Sequence, residues 1–121
     1  MLFRSAIVEG QMHGGIVQGA GQVFGEQIVY DTKTGQPLSA SFMDYIMPRA
    51  GLVPDIRGVE HPTTSTLSPL GVKGVGESGC TASIPSLVDA VIDALRPLGV
   101  RQLDMPLTPS RLWHEIGRAH V

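Results

Sequence analysis

The chain has 121 residues, 42% of them hydrophobic, and a formal net charge of -2, which suits one domain or a piece of one. That charge leaves no basic footprint for nucleic acid, and no apolar run approaches the roughly 18 residues of a membrane span. A single cysteine excludes an intrachain disulfide and permits a reducing compartment.

The first ten residues lack the long apolar stretch of a secretory signal and carry Glu9, so a cytoplasmic location is expected. Fifteen glycines and nine prolines imply short elements and many connections. From Gly10 to Glu26, small residues mix with apolar ones. Ile16, Val17, Ala20, Val23 and Phe24 fall on one face of a helix. Each interior glycine costs a helix about 1 kcal/mol relative to alanine. Two reasons for them stay open: tight packing against another element, or close approach by a ligand.

Ile28 to Tyr30 predicts a short strand. The polar run from Asp31 to Pro37 predicts a turn, with Gly35 available for positive φ. Leu38 to Tyr45 would pair back as the second strand. Pro48, Pro54 and Pro62 punctuate a loop containing one more strand, Ile56 to Glu60. Thr63 to Pro69 is polar and proline-flanked, either a surface loop or a segment ordered by a partner.

The glycine-rich stretch follows: Gly71-Val72-Lys73-Gly74-Val75-Gly76-Glu77-Ser78-Gly79. Four glycines surround one lysine and one carboxylate. Without Cβ atoms, such a turn lets backbone N–H groups approach a ligand closely. The next helix would aim its positive end at the same place. A simpler reading makes Glu77 a first-turn residue favoured by the helix dipole. The stretch is not a P-loop, because no Ser or Thr follows a Gly-Lys pair at the proper spacing. It is not a dinucleotide fingerprint, because no convincing strand precedes it.

Beyond Glu77, Ile84, Leu87, Val88, Val91, Ile92 and Leu95 form one apolar stripe. Ser83 is the predicted N-cap, Pro85 fits the first turn, and Pro97 and Gly99 stop the helix. This stripe is core. Val100 to Met105 predicts a strand. Thr108 as N-cap and Pro109 at the first position open a last helix, anchored by Leu112 and Trp113. His13, His61, His114 and His120 are scattered, without metal-ligand spacing. Cys80 lies near a helix start, where a thiol can be activated, but a lone cysteine among small residues is more often a packing residue.

Taken together, these residues resemble a known family. The 71–79 stretch, the Ala-Val-Ile-Asp-Ala-Leu helix, and Met105 to Pro109 before Leu112-Trp113 look like the C-terminal end of a molybdenum hydroxylase large subunit. Gly14 to Gly21, Tyr30-Asp31 and Phe42 to Tyr45 fit the same region in the same order. The family is that of xanthine dehydrogenase, aldehyde oxidoreductase and aerobic carbon monoxide dehydrogenase. The resemblance spans about Ala6 to Trp113. It implies an α+β fold: the C-terminal part of a molybdopterin-binding domain, with short strands, a Gly-rich helix and an amphipathic helix after the Gly-Val-Gly-Glu turn.

It also implies chemistry. The family oxidises a small substrate (an aldehyde, an N-heterocycle or carbon monoxide), taking oxygen from water at a molybdenum held by a pterin. Glu77 matches the family's catalytic base. Gln18 matches a pterin contact, and Lys73, Gly74, Val75 and Gly76 match the cofactor-facing turn. No residue of this chain is expected to ligate the metal directly. The cofactor would be molybdenum-molybdopterin, with the cytosine dinucleotide as one of its forms. Iron–sulfur clusters and FAD would sit on partner domains or subunits, and the remainder of the large subunit would be the main partner.

The family's subunit is several times longer, so the chain is expected to be a fragment that cannot enclose the cofactor and is inactive alone. Leu2 to Ser5 and Glu115 to Val121 read like translated sequencing adapters. Residues 1–5 are therefore expected to be a non-native leader, 6–114 the fragment, and 115–121 a non-native tail. The alternative is a non-catalytic binding or assembly module that kept the fold and lost the chemistry.

Overall fold

The computed structural model describes residues 5–59 and 61–118. Helix α1 spans Ser5–Phe24, α2 spans Cys80–Leu95 and α3 spans Pro109–Arg118, with single 3-10 turns at Ala50–Leu52 and Arg96–Leu98. Of the leader and tail predicted at the ends, residues 1–4 and 119–121 lie outside the described residues, while Ser5 belongs to α1 and residues 115–118 to α3. His120 also lies outside them.

The dominant packing is α1 against α2, and glycine makes it possible. A Cβ on Gly15 would stand 2.7 Å from the Cys80 nitrogen and 2.9 Å from the Gly79 Cα. One on Gly79 would collide with the Met12 carbonyl, and one on Gly19 with the Ser83 hydroxyl. The two helices therefore meet backbone to backbone, and Gly15, Gly19 and Gly79 are buried. Ser83 is buried between them and donates its hydroxyl hydrogen to the Cys80 carbonyl, 3.1 Å away.

Helix α2 begins one turn earlier than the sequence predicts. Its N-cap is Gly79, and Ser83 and Pro85 lie inside it. The reason is the Glu77 carbonyl, which accepts from both the Cys80 N–H (3.1 Å) and the Thr81 N–H (3.0 Å). Those bonds start the helical register before the proline arrives. The predicted apolar stripe is the sheltered face of α2: Ile84, Leu87, Val88, Val91, Ile92 and Leu95 are all half-buried, while Asp89, Asp93 and Arg96 are exposed. The helix stops as expected before Pro97, and Gly99 takes φ +84.

At the far end of α1, the Leu107 N–H donates to the Val23 carbonyl at 2.6 Å. Val23 and Leu107 are the apolar side chains fully buried among the described residues, each worth about 1.5–3 kcal/mol of transfer free energy. Helix α3 follows directly. Thr108 caps it as predicted, accepting from the Arg111 N–H at 3.3 Å. Leu112 is half-buried, but Trp113 is 74% exposed and anchors nothing within the described chain.

The predicted strands are the main departure. Among the described residues the β-structure is one antiparallel bridge, between Tyr30 and Pro37, extended by a Leu38 N–H to Val29 carbonyl bond of 2.7 Å. Leu38 to Tyr45 does not continue as a strand. Ser41 draws it into a turn, accepting on its carbonyl from Asp44 (3.0 Å) and Tyr45 (2.8 Å). Of the predicted strands Ile56 to Glu60 and Val100 to Met105, the described residues 56–59 and 100–105 form no ladder, and Glu60 lies outside the described residues. The Asp31 turn is as expected. Its carboxylate accepts from the Lys33 and Thr34 N–H groups at 2.8 Å each, and Gly35 has φ +72. The backbone bond from Thr34, then that from Lys33, hold the Asp31 carboxyl below its ordinary pKa.

Gly15→Ala is expected to force the helices apart and to lower stability by about 1–3 kcal/mol. Gly14→Ala, whose methyl would meet nothing within 4 Å, should gain up to about 1 kcal/mol of helix propensity. Urea unfolding followed by far-UV circular dichroism separates the two. A second expectation concerns the Tyr45 hydroxyl, which donates to Glu26 at 2.6 Å and ties the 41–48 loop to the end of α1. That bond raises the Tyr45 pKa above its ordinary value. The tie is therefore fully present below pH about 10 and is lost as pH rises through the raised value. Ultraviolet titration of the phenolate should show the late ionisation, and the accompanying alkaline loosening of the loop should vanish in Tyr45→Phe.

Candidate cofactor cleft

The α1–α2 contact leaves a cleft of about 360 Å³ beside it. One wall is a single face of α1: Gly10, Gln11, Gly14, Gly15 and Gln18. The other is the entry to α2: Gly76, Glu77 and Cys80. Glu77 also borders a second hollow of about 370 Å³, lined by Gly74, Gly76, Ser78 and Thr81. Glu77 thus lines both hollows and is exposed.

Each side chain is placed by local structure. Glu77 sits in a turn closed by the Ser78 N–H to the Val75 carbonyl (3.1 Å) and by its own carbonyl starting α2. The Thr81 hydroxyl adds a third bond to that carbonyl, 2.8 Å long. Gln18 is fixed by α1, one turn after Gly14 and Gly15. The open glycines differ in kind from the packed ones. A Cβ on Gly10, Gly14 or Gly76 would meet no protein atom within 4 Å, yet all three line the cleft. On the glycine-rich helix, tight packing thus accounts for Gly15 and Gly19, while Gly10 and Gly14 stand open.

Of the residues singled out from the sequence, Gln18, Gly76 and Glu77 come together in one cleft. Gly74 lines the neighbouring hollow. Val75 is half-buried and serves the turn through its carbonyl. Lys73 stands apart: its ammonium is exposed and donates to the Thr63 hydroxyl at 2.7 Å. With the Ser65 N–H to Gly71 carbonyl bond of 3.1 Å, this folds the 63–71 loop back on the turn. Gln11 was not singled out, although its seven-residue spacing from Gln18 puts both on one helical face. Among the described residues neither glutamine spends its side-chain amide on a protein partner. No three His, Cys, Asp or Glu side chains gather as a metal-binding group there either.

Glycines, two carboxamides and one carboxylate thus line one cleft. Residues 3–54 match the family model described as "Molybdopterin cofactor-binding domain". The carbon monoxide dehydrogenase large chain of Hydrogenophaga pseudoflava is 40% identical over 91% of this chain and 14% of that protein. The nicotine 6-hydroxylase large subunit of Paenarthrobacter nicotinovorans is 40% identical over 93% of this chain and 14% of that protein. The crystal structure of quinoline 2-oxidoreductase from Pseudomonas putida 86 superposes with a TM-score of 0.85 at 43% identity, over 93% of this chain and 14% of that one. The chain belongs to the xanthine dehydrogenase, aldehyde oxidoreductase and carbon monoxide dehydrogenase family of molybdenum enzymes. It spans 14% of the length of these relatives, within their molybdenum-binding large subunit.

Molybdopterin fits the cleft. Gly10, Gly14 and Gly76 leave room for a flat ring system where a methyl would intrude. The glutamine amides offer the paired donor and acceptor that a pterin edge requires. No described helix is long and apolar enough to cross a membrane.

Proposed function

We propose that this chain forms one wall of the active site of a molybdopterin-dependent hydroxylase, with Glu77 as its general base. The observation that carries the reading is the convergence of Gln18, Gly76 and Glu77 on one glycine-floored cleft. When bound, the cofactor supplies a two-electron acceptor and the site at which water becomes the oxygen donor. The chain's own residues move the proton and hold the turn. Glu77 accepts the proton that water gives up, on a carboxylate oxygen exposed to the cleft. Gln18 hydrogen-bonds the pterin and sets its angle. Lys73, Gly74, Val75 and Gly76 hold the turn that carries Glu77, the first of them through Thr63.

In this reading an aldehyde or N-heterocycle exchanges a C–H bond for C–OH, the C–H hydrogen departing as a proton and two electrons. Carbon monoxide takes up water's oxygen to leave as carbon dioxide, with both protons of water and two electrons released. The electrons leave through iron–sulfur clusters and FAD on partner domains or subunits. Aldehydes, N-heterocycles and carbon monoxide are the candidate substrates, and the names of the relatives span the last two. The cofactor is proposed in its cytosine dinucleotide form. The remainder of the large subunit closes the cleft and covers apolar side chains that this chain leaves exposed, among them Phe42, Met43 and Leu67. Alone, the chain encloses too little of the cleft to turn over substrate.

Glu77→Gln, in the assembled enzyme that carries these residues, should leave molybdenum content unchanged and slow reduction of the metal by substrate about 10²–10⁴-fold. Rapid-mixing absorbance under anaerobic conditions reads this directly. Reduction at the parent rate would remove Glu77 from the chemistry.

A further inference from the structure

We infer that the outer edge of residues 28–31 is a docking edge for an extended strand from the remainder of the large subunit. Around the Tyr30–Pro37 bridge, the Asp31 N–H donates to the Gln36 carbonyl (2.8 Å) and the Leu38 N–H to the Val29 carbonyl (2.7 Å). The Val29 N–H donates to the Ser39 hydroxyl oxygen at 2.9 Å. Val29 and Asp31 therefore spend their backbone groups inside the hairpin. In an antiparallel pair the alternate residues point the other way. Ile28 and Tyr30 thus each present an N–H and a C=O outward. Among the described residues these four groups have no hydrogen-bond partner.

The two edges of the hairpin are unlike. The second strand carries Pro37 at the matching outward position, and proline has no N–H to offer a neighbour. Folded proteins blunt a free edge in this way, or with a charge. Residues 28–30 carry neither. Their side chains point to the same end. Ile28 and Tyr30 lie on one face of the hairpin, Val29 and Leu38 on the other, and all four are exposed. A strand that is apolar on both faces suits the interior of a sheet. The occupant follows from tethering. The chain spans 14% of the length of its relatives, and in a subunit of that length the other strands are joined covalently to this edge. A tethered strand competes at an effective concentration on the order of millimolar, whereas a second copy must arrive from free solution. A strand of β-branched and aromatic residues would close the four polar groups and cover both faces.

The test is hydrogen–deuterium exchange at single amides in the assembled enzyme that carries these residues. The Ile28 and Tyr30 amides should exchange within about tenfold of the Asp31 and Leu38 amides, and dilution should not change this. Exchange of Ile28 and Tyr30 more than about tenfold faster than Asp31 and Leu38 overturns the inference, because the edge is then open to water. Protection lost on dilution to single large subunits also overturns it and assigns the edge to a second copy. Tyr30→Pro removes one outward N–H and leaves the hairpin bonds in place, a change that a free edge tolerates. It should speed exchange at Ile28 about tenfold relative to Tyr30→Ala, the scale of one ladder bond. Equal exchange in the two variants overturns the inference. If Tyr30→Pro fails to fold, exchange in the parent enzyme carries the test.

Discussion

The meeting of Gly15 and Gly79 is the constraint on which the rest depends. At that point two backbones touch with no side chain between them. Side chains can adjust by changing rotamer; a backbone contact cannot. Gly79 sits two residues after Glu77 and directly against the turn of α1 that separates Gln11 from Gln18. The distance from the Glu77 backbone to the glutamine face is therefore set by main-chain geometry. Positioning of this kind matters at a reactive site, where a displacement of about 1 Å can cost some two orders of magnitude in rate. Ser83 serves the same end one turn on, turning its hydroxyl back to the Cys80 carbonyl so that Gly19 can lie close.

Much of this was legible in the sequence, and the rest was hidden for identifiable reasons. Periodicity gave α2 its buried face correctly, because six apolar residues at helical spacing have one way to be sheltered. It chose less well on α1. The Ile16, Val17, Ala20, Val23, Phe24 stripe is apolar, but the closest approach to α2 belongs to Gly15 and Gly19, which carry no hydrophobic signal. The start of α2 was misplaced by one turn because Ser83 and Pro85 look like a cap and a first-turn proline. The Glu77 carbonyl, invisible to side-chain reasoning, had already begun the helix. The Asp31 turn and the Thr108 cap were readable because each is a local side-chain-to-backbone bond. The strands were not, because a strand is a relation between segments, and these segments find little to pair with inside this chain.

The candidate site divides along the same line. Glu77 and Gln18 were found through a motif resemblance, and the structure brings both to one cleft. Lys73 belonged to the same motif yet its ammonium bonds Thr63 in the 63–71 loop, so neighbours in sequence did not become neighbours in the cleft. Gln11 went unmarked although the spacing that reveals it was present. It emerges only when α1 is seen as a wall with an inward face, and that inward face is known once α2 is in place.

The bond from Leu107 to Val23 links the last turn of α1 to a segment made most of the chain's length later. A contact this distant in sequence closes a large loop, and loops of that size form slowly and late. During synthesis, the glycine face of α1 would leave the ribosome long before either α2 or the Leu107 segment exists to steady it. The two walls of the cleft therefore come to rest only once that large loop has closed, so the glycine floor is assembled late in folding rather than with the helix that carries it.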